Sequence, residues 1–403
     1  MSVAHRASLR GVPADSDLLQ RPLRVGMFSP YSLSIPGGVQ AQVMGLTREL
    51  RRMGIEARVL GPCDGPPPAT FVTPLGNSLP TAANGSLAPL APDPAAALRT
   101  MRVLFEEQFD VIHLHEPFAP GPTMTAMLLH PAPVVATFHA AGESASYQYL
   151  SRPIKASAKN IAHRVAVSKD AQALVEASIG GEYEVLYNGV ELDLYRGAAP
   201  WPTDGPTIFF CGRHEDRKGL DVLIAAMADL GPEVRLWVGS NGPDTARLRA
   251  ATAGDARIEW LGRLSDDEKM SRLRGAHVFC APSLRGESFG VVLIEAMAAG
   301  TAIVASALDG YQNVATHDVD ALLVEPADSA ALALALKRAL YDPALTERLV
   351  AAGALRADDF SMAALARRYA EIYRTVAVQR DRSDVIPPWV LSPRRWRRNR
   401  MMA

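Results

Sequence analysis

The sequence predicts an α/β protein made of two doubly wound domains, each with a parallel sheet. Three observations support this fold class. The chain has 403 residues, which is enough for about two domains. Short apolar runs alternate with helical patterns along most of the chain, as expected for repeated βα units. A Gly- and Pro-rich stretch from Tyr187 to Pro206 separates two such series and predicts a linker.

Composition narrows the class of protein further. Hydrophobic residues make up 48% of the chain and charged residues 21%, as in ordinary soluble domains with a sizeable core. The formal net charge of -1 gives no overall attraction to nucleic acid or membrane. The three cysteines lack metal-ligand spacing, and no apolar run is long enough to span a bilayer. These features predict a cytoplasmic protein that has no partner among nucleic acids.

The domain boundaries follow from these changes in pattern. We predict a mobile leader over 1–22, a first Rossmann-like domain over 23–190, a linker over 191–206, a second Rossmann-like domain over 207–358, a further helix over 359–379 and a basic tail over 380–403.

The first domain opens with a βαβ unit. The apolar run 23–29 predicts the first strand, and a helix begins at Val39, where apolar residues recur at i, i+4 and i+7. The next strand is predicted over 56–62. The pair Gly37-Gly38 lies at the start of the helix; it is not a dinucleotide fingerprint, and a simple tight turn explains it equally well.

The middle of the first domain is less regular in its pattern. Residues 61–94 are rich in Pro, Ala, Gly, Ser and Asn, and predict long irregular loops. Alternation then resumes with a helix over 95–107 and strands over 110–117, 133–139 and 164–168.

Polar residues stand at the ends of these strands, namely His115, Glu116, His139 and Ser168. A doubly wound sheet places its ligand site at the carboxyl ends of its strands, so these side chains are candidates for a site. His139 is equally explained as a structural histidine. His113 and His115 share a strand face, but no third ligand is in view, so no metal site is predicted.

The second domain restarts the same alternation with a strand over 207–211. Arg213 follows that strand, and Lys218 precedes the next helix. A lone cation on a loop is usually just solvated. Two cations that flank a strand-to-helix loop suit a diphosphate, whose negative charge increases as it leaves.

A second candidate site lies around Glu287. An apolar strand over 277–283 precedes it, and the sequence predicts a helix over 288–299 that starts with Phe289 and Gly290 offering backbone amides to a phosphate. Glu295 follows Glu287 by two helical turns, roughly 12 Å, a distance that suits two ends of a nucleotide sugar. The alternative is that Glu287 caps the helix and Glu295 is a solvated surface charge.

The motif GESFGVVLIEAMAAG, with its E-x7-E spacing, resembles the signature of glycosyltransferase family 4, a family of retaining enzymes with the GT-B fold. GR-x4-KG and PYSLSIPGGVQ resemble other parts of the same family pattern. The resemblance covers roughly 23–378. It implies two Rossmann-like domains that face each other across a cleft, with the last helix crossing back to the first domain.

The resemblance also implies roles for individual residues. The implied catalytic residues are His139, Arg213, Lys218 and Glu287. The implied donor-binding residues are Gly38, Gly212, Ser288, Phe289, Gly290, Val291 and Glu295. The implied acceptor-binding residues are Tyr31, Gln40, His115 and Glu116.

Within family 4 the chain most resembles mannosyltransferases that act on phosphatidyl-myo-inositol. The resemblance implies a GDP-mannose donor, an inositol or lipid acceptor, no metal and no tightly bound cofactor. Two alternatives remain open at this point. One is a family 4 enzyme that uses a UDP-sugar and another acceptor, and the other is a nucleotide-sugar epimerase or a non-catalytic binding protein.

Three departures from the family pattern concern the acceptor and the membrane. Ala140 replaces the usual threonine after His139, and Ser144 stands where a lysine is usual, which predicts weaker use of phosphatidylinositol. The region 91–110 has few cations for an amphipathic membrane helix. The tail 380–403 has a basic cluster with two tryptophans, which predicts salt-sensitive peripheral binding at the inner face of the cell membrane or, alternatively, a solvated tail.

Overall fold

A computed structural model describes residues 21–35, 37–83, 86–140, 156–287 and 289–379, and every structural statement below concerns these ranges. The predictions for the leader up to residue 20, for Ser144, for Ser288 and for the tail fall outside them. The chain divides into two compact units. The first unit comprises the residues up to Leu186 together with those from Ala366 onward, and the second comprises Tyr187–Leu365.

The first unit contains a seven-stranded parallel sheet with the order β3-β2-β1-β6-β7-β8-β9. Its strands are β1 (Arg24–Phe28), β2 (Glu56–Gly61), β3 (Val72–Pro74), β6 (Val111–His115), β7 (Val134–Phe138), β8 (Ile161–Ala166) and β9 (Glu184–Val185). The central strands are apolar and buried on both faces, as parallel sheets require. The order reverses between β1 and β6, which creates a crevice at the carboxyl ends of these two strands.

Helices connect the strands of the first unit. They are α1 (Gly38–Arg52), α2 (Pro94–Glu107), α3 (Pro122–Leu129), α4 (Lys169–Ile179) and the last helix of the described chain, α13 (Met362–Gln379). Asp93 caps α2 by accepting from the amides of Ala95 and Ala96, and Pro94 fits its first turn. Ser168, a predicted site residue, accepts from the amide of Ala171 and is the cap of α4.

The prediction of irregular loops over 61–94 is wrong. Besides β3, this region forms an antiparallel hairpin of β4 (Leu79–Ala83) and β5 (Ser86–Leu90). The dipeptide Asn84-Gly85 stands between the two strands in the sequence, and Asn-Gly is a strong signal for a two-residue hairpin loop. The surrounding prolines favoured the prediction of a loop. Pro is nevertheless allowed in short edge strands, so the hairpin can form.

The second unit contains a six-stranded parallel sheet with the order β12-β11-β10-β13-β14-β15. Its strands are β10 (Thr207–Cys211), β11 (Arg235–Gly239), β12 (Ile258–Gly262), β13 (Val278–Ala281), β14 (Ala302–Ser306) and β15 (Leu322–Val324). Its helices are α5 (Leu192–Gly197), α6 (Leu220–Ala226), α7 (Thr245–Ala251), α8 (Asp266–Gly275), α9 (Val291–Ala299), α10 (Asp309–Gln312), α11 (Ser329–Tyr341) and α12 (Pro343–Asp358). The order reverses between β10 and β13.

The stretch predicted as a linker, 191–206, differs from the structure. It contains α5, and Leu192 at the start of that helix is buried in the core of the second unit. The division between the units falls earlier, after Leu186. Tyr187 already belongs to the second core, because its ring stacks on that of Phe289 at a centroid distance of 4.9 Å. The proline and glycine content indicated a boundary in this region, but it did not show where the core of the second unit begins.

Helix α13 contributes two buried tyrosines to the first unit. The Tyr373 hydroxyl lies 2.6 Å from Nδ1 of His113, and the Tyr369 hydroxyl lies 2.7 Å from Oγ1 of Thr137. Thr137 Oγ1 is also 2.7 Å from Nε2 of His113. The network satisfies His113, a residue with no exposed surface, so this histidine is structural.

Candidate functional site

The charged loops of the second unit follow the two strands at which its sheet order reverses. Arg213 and Lys218 lie in the loop after β10, and Glu287 lies in the loop after β13. The loops are joined by a backbone hydrogen bond of 2.8 Å from the amide of Leu284 to the carbonyl of Arg217. Parallel α/β sheets bind ligands at such a reversal, so the fold brings the predicted charged residues together where a ligand is expected.

Glu287 is held by cations and by a hydroxyl. Its Oε1 lies 2.5 Å from Nζ of Lys218, and the two side chains are only 12% and 19% exposed. Arg217 approaches the same oxygen at 3.6 Å, and Ser283 donates to it at 2.9 Å. The carboxylate is therefore neither a helix cap nor a solvated charge. It orients the two cations that could face a diphosphate.

The prediction paired Arg213 with Lys218, but in the structure Arg217 is the arginine that contacts Glu287. The Arg213 side chain is 68% exposed, and its Nε lies 3.4 Å from Glu215. Arg217, which sequence reasoning missed, contacts both Glu215 and Glu287. Its position next to Lys218 in the same loop was the available signal. Gly219 ends the loop with a φ of +64°, and a Cβ there would lie 2.0 Å from the carbonyl oxygen of Pro282.

Tyr311 supports the position of Glu287 through Ser283. Its hydroxyl lies 3.0 Å from Oγ of Ser283, the residue that donates to Glu287. Burial, together with the negative charge of Glu287, raises the pKa of the Tyr311 hydroxyl, so it is a neutral hydrogen-bonding group at ordinary pH. The ring also packs under Gly290, where a Cβ would come within 2.8 Å of it.

Tyr311→Phe is expected to lower the rate of the sugar transfer that the resemblance implies roughly fivefold, because loss of one hydrogen bond of about 1 kcal/mol lets Ser283 release Glu287. The phenylalanine ring keeps the packing under Gly290, so the thermal midpoint should change little. Steady-state kinetics should show the change mainly in kcat. The matched control is Tyr341→Phe, an exposed tyrosine on α11. Equal kinetics of the two variants would contradict the supporting role.

The helix predicted over 288–299 begins three residues later, as α9 at Val291. Gly290 has a φ of +74° and lies outside the helix as its cap. The first helical amides are therefore those of Val291 and Val292 and not those of Phe289 and Gly290. The predicted end is confirmed, because Gly300 adopts the left-handed conformation as the C-cap.

Phe289, Ser288 and Gly212 are three of the donor-binding residues that the resemblance implies. The Phe289 side chain is 3% exposed and packs on Tyr187 and Phe360, so only its backbone is placed to meet a ligand. Ser288 lies outside the described residues. Gly212 stands directly after β10, next to Arg213.

Glu295 lies on α9 and is 12% exposed, so it is not a solvated surface charge. Its carboxylate accepts a hydrogen bond of 2.8 Å from the Tyr195 hydroxyl and lies 2.5 Å from Nζ of Lys269. Burial and the charge of Glu295 raise the pKa of Tyr195. Burial disfavours the charged form of Lys269, but the nearby negative charges outweigh it and raise the pKa of the amine. Sequence reasoning missed both partners.

In the first unit, the polar ends of β6 and β7 meet, as predicted. Nδ1 of His115 lies 2.8 Å from Nε2 of His139. Oε1 of Glu116 accepts from the amides of His139 and Ala140 at 2.5 and 2.7 Å. Glu116 has a φ of +51°, a strained conformation for a residue other than glycine that is often found at functional sites.

These histidines are neutral near pH 7. Burial lowers the pKa of His139 to about 4 and that of His115 well below its usual range. Nε2 of His115 is buried and has no hydrogen-bond partner among the described residues. A neutral pair at 2.8 Å shares one proton, so His139 can donate or accept at its other nitrogen without carrying a charge.

The remaining predicted residues of the first unit differ in their environments. Burial, followed by the charge of Glu116, raises the pKa of the Tyr31 hydroxyl to about 12. Gln40, implied as an acceptor ligand, instead donates to the carbonyls of Ser32 and Ile35 and is 8% exposed, so it braces the loop after β1. Gly38 begins α1, and within the described part of the chain no atom lies within 4 Å of where its Cβ would be.

The described ranges contain neither a cluster of metal ligands nor a membrane-spanning helix. Among these residues no group of three or more His, Cys, Asp or Glu side chains could hold a metal ion. No helix in the same ranges is both long and apolar enough to cross a bilayer.

The two parallel-sheet units, with charged loops at their strand ends, define the GT-B class of glycosyltransferases. Two family models match successive parts of the chain. The model "Glycosyltransferase Family 4" matches residues 36–194, and the model "Glycosyl transferases group 1" matches residues 193–356.

Several relatives that are 34–38% identical over at least 80% of this chain carry one name. A phosphatidyl-myo-inositol mannosyltransferase of Mycobacterium leprae is 38% identical over 90% of this chain and 100% of the relative. The protein of the same name from Mycolicibacterium smegmatis is 36% identical over 88% of this chain and 94% of the relative. The chain therefore belongs to the glycosyltransferase family of these mannosyltransferases, and it is a glycosyltransferase.

Solved structures agree on the fold. Sucrose-phosphate synthase from Thermosynechococcus elongatus matches with a TM-score of 0.70 at 22% identity, over 89% of this chain and 100% of that one. Anabaena HepE in complex with UDP-glucose matches with a TM-score of 0.64 at 18% identity, over 88% and 100%. These similarities confirm the predicted GT-B fold.

Proposed function

We propose that the protein transfers mannose from GDP-mannose to phosphatidyl-myo-inositol or a related inositol lipid, with retention at the anomeric carbon. The main support is the 38% identity to a phosphatidyl-myo-inositol mannosyltransferase over 90% of the chain. The paired Lys218 and Glu287 at the sheet reversal give the proposal a chemical basis.

The proposed donor chemistry depends on charge that develops on the leaving diphosphate. Lys218 and Arg217 are held in place by Glu287, so they can stabilise that charge without reorganising. Arg213 supplies a third, more exposed cation. Glu295, fixed by Tyr195 and Lys269, presents a carboxylate that suits ribose hydroxyls. The acceptor proton would pass to the leaving phosphate on the same face of the sugar.

The proposed role of His139 is to contact the transferred sugar. Because its pKa is lowered to about 4, the ring is neutral and can hydrogen-bond a sugar hydroxyl without placing a positive charge beside a developing oxocarbenium ion. Glu116 fixes the backbone of His139, and the His115 ring fixes its orientation.

The central experiment is to incubate the purified protein with radiolabelled GDP-mannose and phosphatidylinositol vesicles. We expect a mannolipid whose new bond has the α configuration by NMR, which is the configuration of the donor. UDP-glucose and UDP-mannose serve as parallel donors. Transfer from a UDP-sugar but not from GDP-mannose would refute GDP-mannose as the donor. Isomerised nucleotide sugar, or bound but unreacted donor, would refute transfer altogether.

The acceptor is proposed to be used less efficiently than by members that match the family pattern better. Ala140 offers no hydroxyl beside His139, and Ser144, outside the described residues, offers no cation. Saturable mannosylation of phosphatidylinositol at low micromolar concentration would contradict this part of the proposal.

A lipid acceptor requires the protein to visit the membrane surface, and helix α2 offers an apolar face for that visit. Leu98, Met101 and Phe105 follow helical spacing and are 65%, 37% and 45% exposed. Arg102, beside them, is paired with Glu106. The face therefore suits insertion by apolar side chains more than attraction by charge. The basic tail, outside the described residues, would add a charge-dependent share.

Vesicle co-sedimentation is expected to separate the two contributions. Leu98→Ser with Phe105→Ser should remove the salt-independent part of binding and weaken it about a hundredfold or more, because each inserted side chain contributes about 1.5–3 kcal/mol. A chain that ends at Val378 should lose only the salt-sensitive share. Leu355→Ser, at another exposed leucine, is the control. Binding that is unchanged in both altered proteins would refute these contacts.

A further inference from the structure

A cavity of about 590 Å³ lies in the second unit, at the edge of the sheet opposite the charged loops. Thr207, Arg235 and Ile258, the first residues of β10, β11 and β12, line it. The donor loops follow the other ends of β10 and β13. The cavity is therefore separate from the donor site, and neither the proposed reaction nor the family relationship assigns it a role.

The walls of this cavity are fixed by specific contacts. The Trp201 amide donates to the carbonyl of Ser271 at 2.9 Å, and the Ser271 hydroxyl donates to the carbonyl of Ala199 at 2.6 Å. A Cβ at Gly275 would lie 2.2 Å from the Trp201 carbonyl oxygen, so the close approach requires glycine. On the other wall, Arg257 is held by Asp255 through both carboxylate oxygens.

One residue that lines the cavity is a buried arginine between two indoles. The guanidinium carbon of Arg272 lies 4.0 Å from the ring centroid of Trp201 and 4.5 Å from that of Trp237. The residue is 5% exposed. Its Nε has no hydrogen-bond partner among the described residues, and its Nη2 is 3.5 and 3.7 Å from the carboxylates of Glu268 and Glu259.

This environment leaves the guanidinium incompletely satisfied. The two indoles offset part of the cost of burying the charge. The contacts of 3.5 Å and longer are weak compared with an ordinary charge-assisted hydrogen bond. A buried donor without a partner costs roughly 1–3 kcal/mol, so its retention calls for a physical reason. Arg272 lines the cavity, so an anion bound there would offset the charge that the distant carboxylates offset only weakly.

We infer that this cavity binds a small hydroxylated phosphomonoester of the sugar phosphate class. The exposed Arg235 and the buried Arg272, which both line the cavity, supply positive charge for the phosphate. Asp204 and Glu259 supply acceptors for hydroxyl groups, and Trp201, 37% exposed, supplies a flat apolar face for a sugar ring. The two carboxylates disfavour polyanions such as nucleic acids.

Calorimetric titration of the full-length protein with mannose 6-phosphate tests the inference, both without GDP and with saturating GDP present to occupy the donor site. We expect saturable binding that is at least tenfold tighter than for inorganic phosphate or for mannose. Quenching of tryptophan fluorescence should accompany it, since Trp201 and Trp237 border the cavity. The measurement needs neither donor sugar nor acceptor, so failure of mannose transfer would not affect it.

Arg235→Ser and Trp201→Leu are the diagnostic variants, because both residues are exposed enough to be replaced without emptying the core. Each should weaken binding about tenfold, the effect of losing one charge-assisted hydrogen bond or one stacked face. Arg249→Ser, an exposed arginine on α7, is the control. Absence of binding, binding unaltered in both variants, or binding abolished by GDP would each overturn the inference.

Discussion

Glu287→Ala is expected to lower kcat for sugar transfer by about 10²–10³, the effect of removing one preorganised electrostatic contact to the transition state. The side chain is 12% exposed and lies 2.5 Å from Lys218, so its loss affects two groups at once. The alanine removes the carboxylate and also releases the ammonium that would face the leaving diphosphate. Lys218→Ala should produce a similar loss.

Glu287→Gln separates the two roles of this carboxylate. The amide oxygen can still accept from Ser283, which donates to Glu287 at 2.9 Å, but it no longer attracts Lys218 as an anion does. An intermediate rate is therefore expected. Glu347→Ala, at an exposed carboxylate on α12, is the control, and thermal midpoints verify folding. Turnover close to that of the unaltered protein for both Glu287→Ala and Lys218→Ala would refute the donor-site assignment.

The central strands of the two parallel sheets could be predicted well because they are short and largely apolar runs. The predicted first strand, 23–29, is β1 at Arg24–Phe28, and the predicted strand 133–139 is β7 at Val134–Phe138. Burial on both faces leaves little choice of residue type, so the pattern is visible in the sequence. The meeting of His115 and His139 followed from the same reasoning, because parallel neighbours end at one edge.

The start of α9 could not be predicted from helix-forming residues alone. Ser288 to Ala299 favours a helix by composition, yet Gly290 adopts a left-handed conformation that the tertiary structure selects. Its Cβ position is occupied by the ring of Tyr311, which lies 21 residues later in the chain. A contact of that kind has no local signature.

The partners of the candidate site residues were missed for the same reason. Tyr195 reaches Glu295 across 100 residues of sequence, and Lys269 reaches it across 26. Gln40, which the resemblance assigns to the acceptor, has its amide nitrogen bonded to loop carbonyls, and the motif did not show those contacts. A motif places a residue on an element, but packing decides where its side chain points.

The second prediction with a large effect concerns the stability of the first unit at low pH. The stability of the first unit is expected to fall steeply as the pH drops below about 6.5, the ordinary pKa of histidine. Burial lowers the pKa of His113 to about 3, that of His139 to about 4 and that of His115 well below its usual range. The tyrosines that face His113 from α13 are neutral, so no nearby anion favours its charged form.

The direction follows from proton linkage. Below pH 6.5 the unfolded chain binds protons at these histidines while the folded unit does not, so the free energy of unfolding decreases with falling pH. Each histidine contributes about 1.4 kcal/mol per pH unit until its folded-state pKa is reached, near 3 for His113. Above pH 6.5 these groups are neutral in both states, and this source of pH dependence disappears.

Hydrogen exchange followed by mass spectrometry can measure this within the first unit, on peptides that cover β6 and β7. Protection should decrease between pH 6.5 and 4, after correction for the intrinsic exchange rate. His113→Gln should be less stable near neutral pH, since it loses the contacts to Tyr373 and Thr137, but its slope with pH should be smaller by about one proton. His130→Gln, at a histidine of the same unit that is not fully buried, should keep the original slope. If His113→Gln and the unaltered protein show the same slope, acid sensitivity does not arise from this buried histidine.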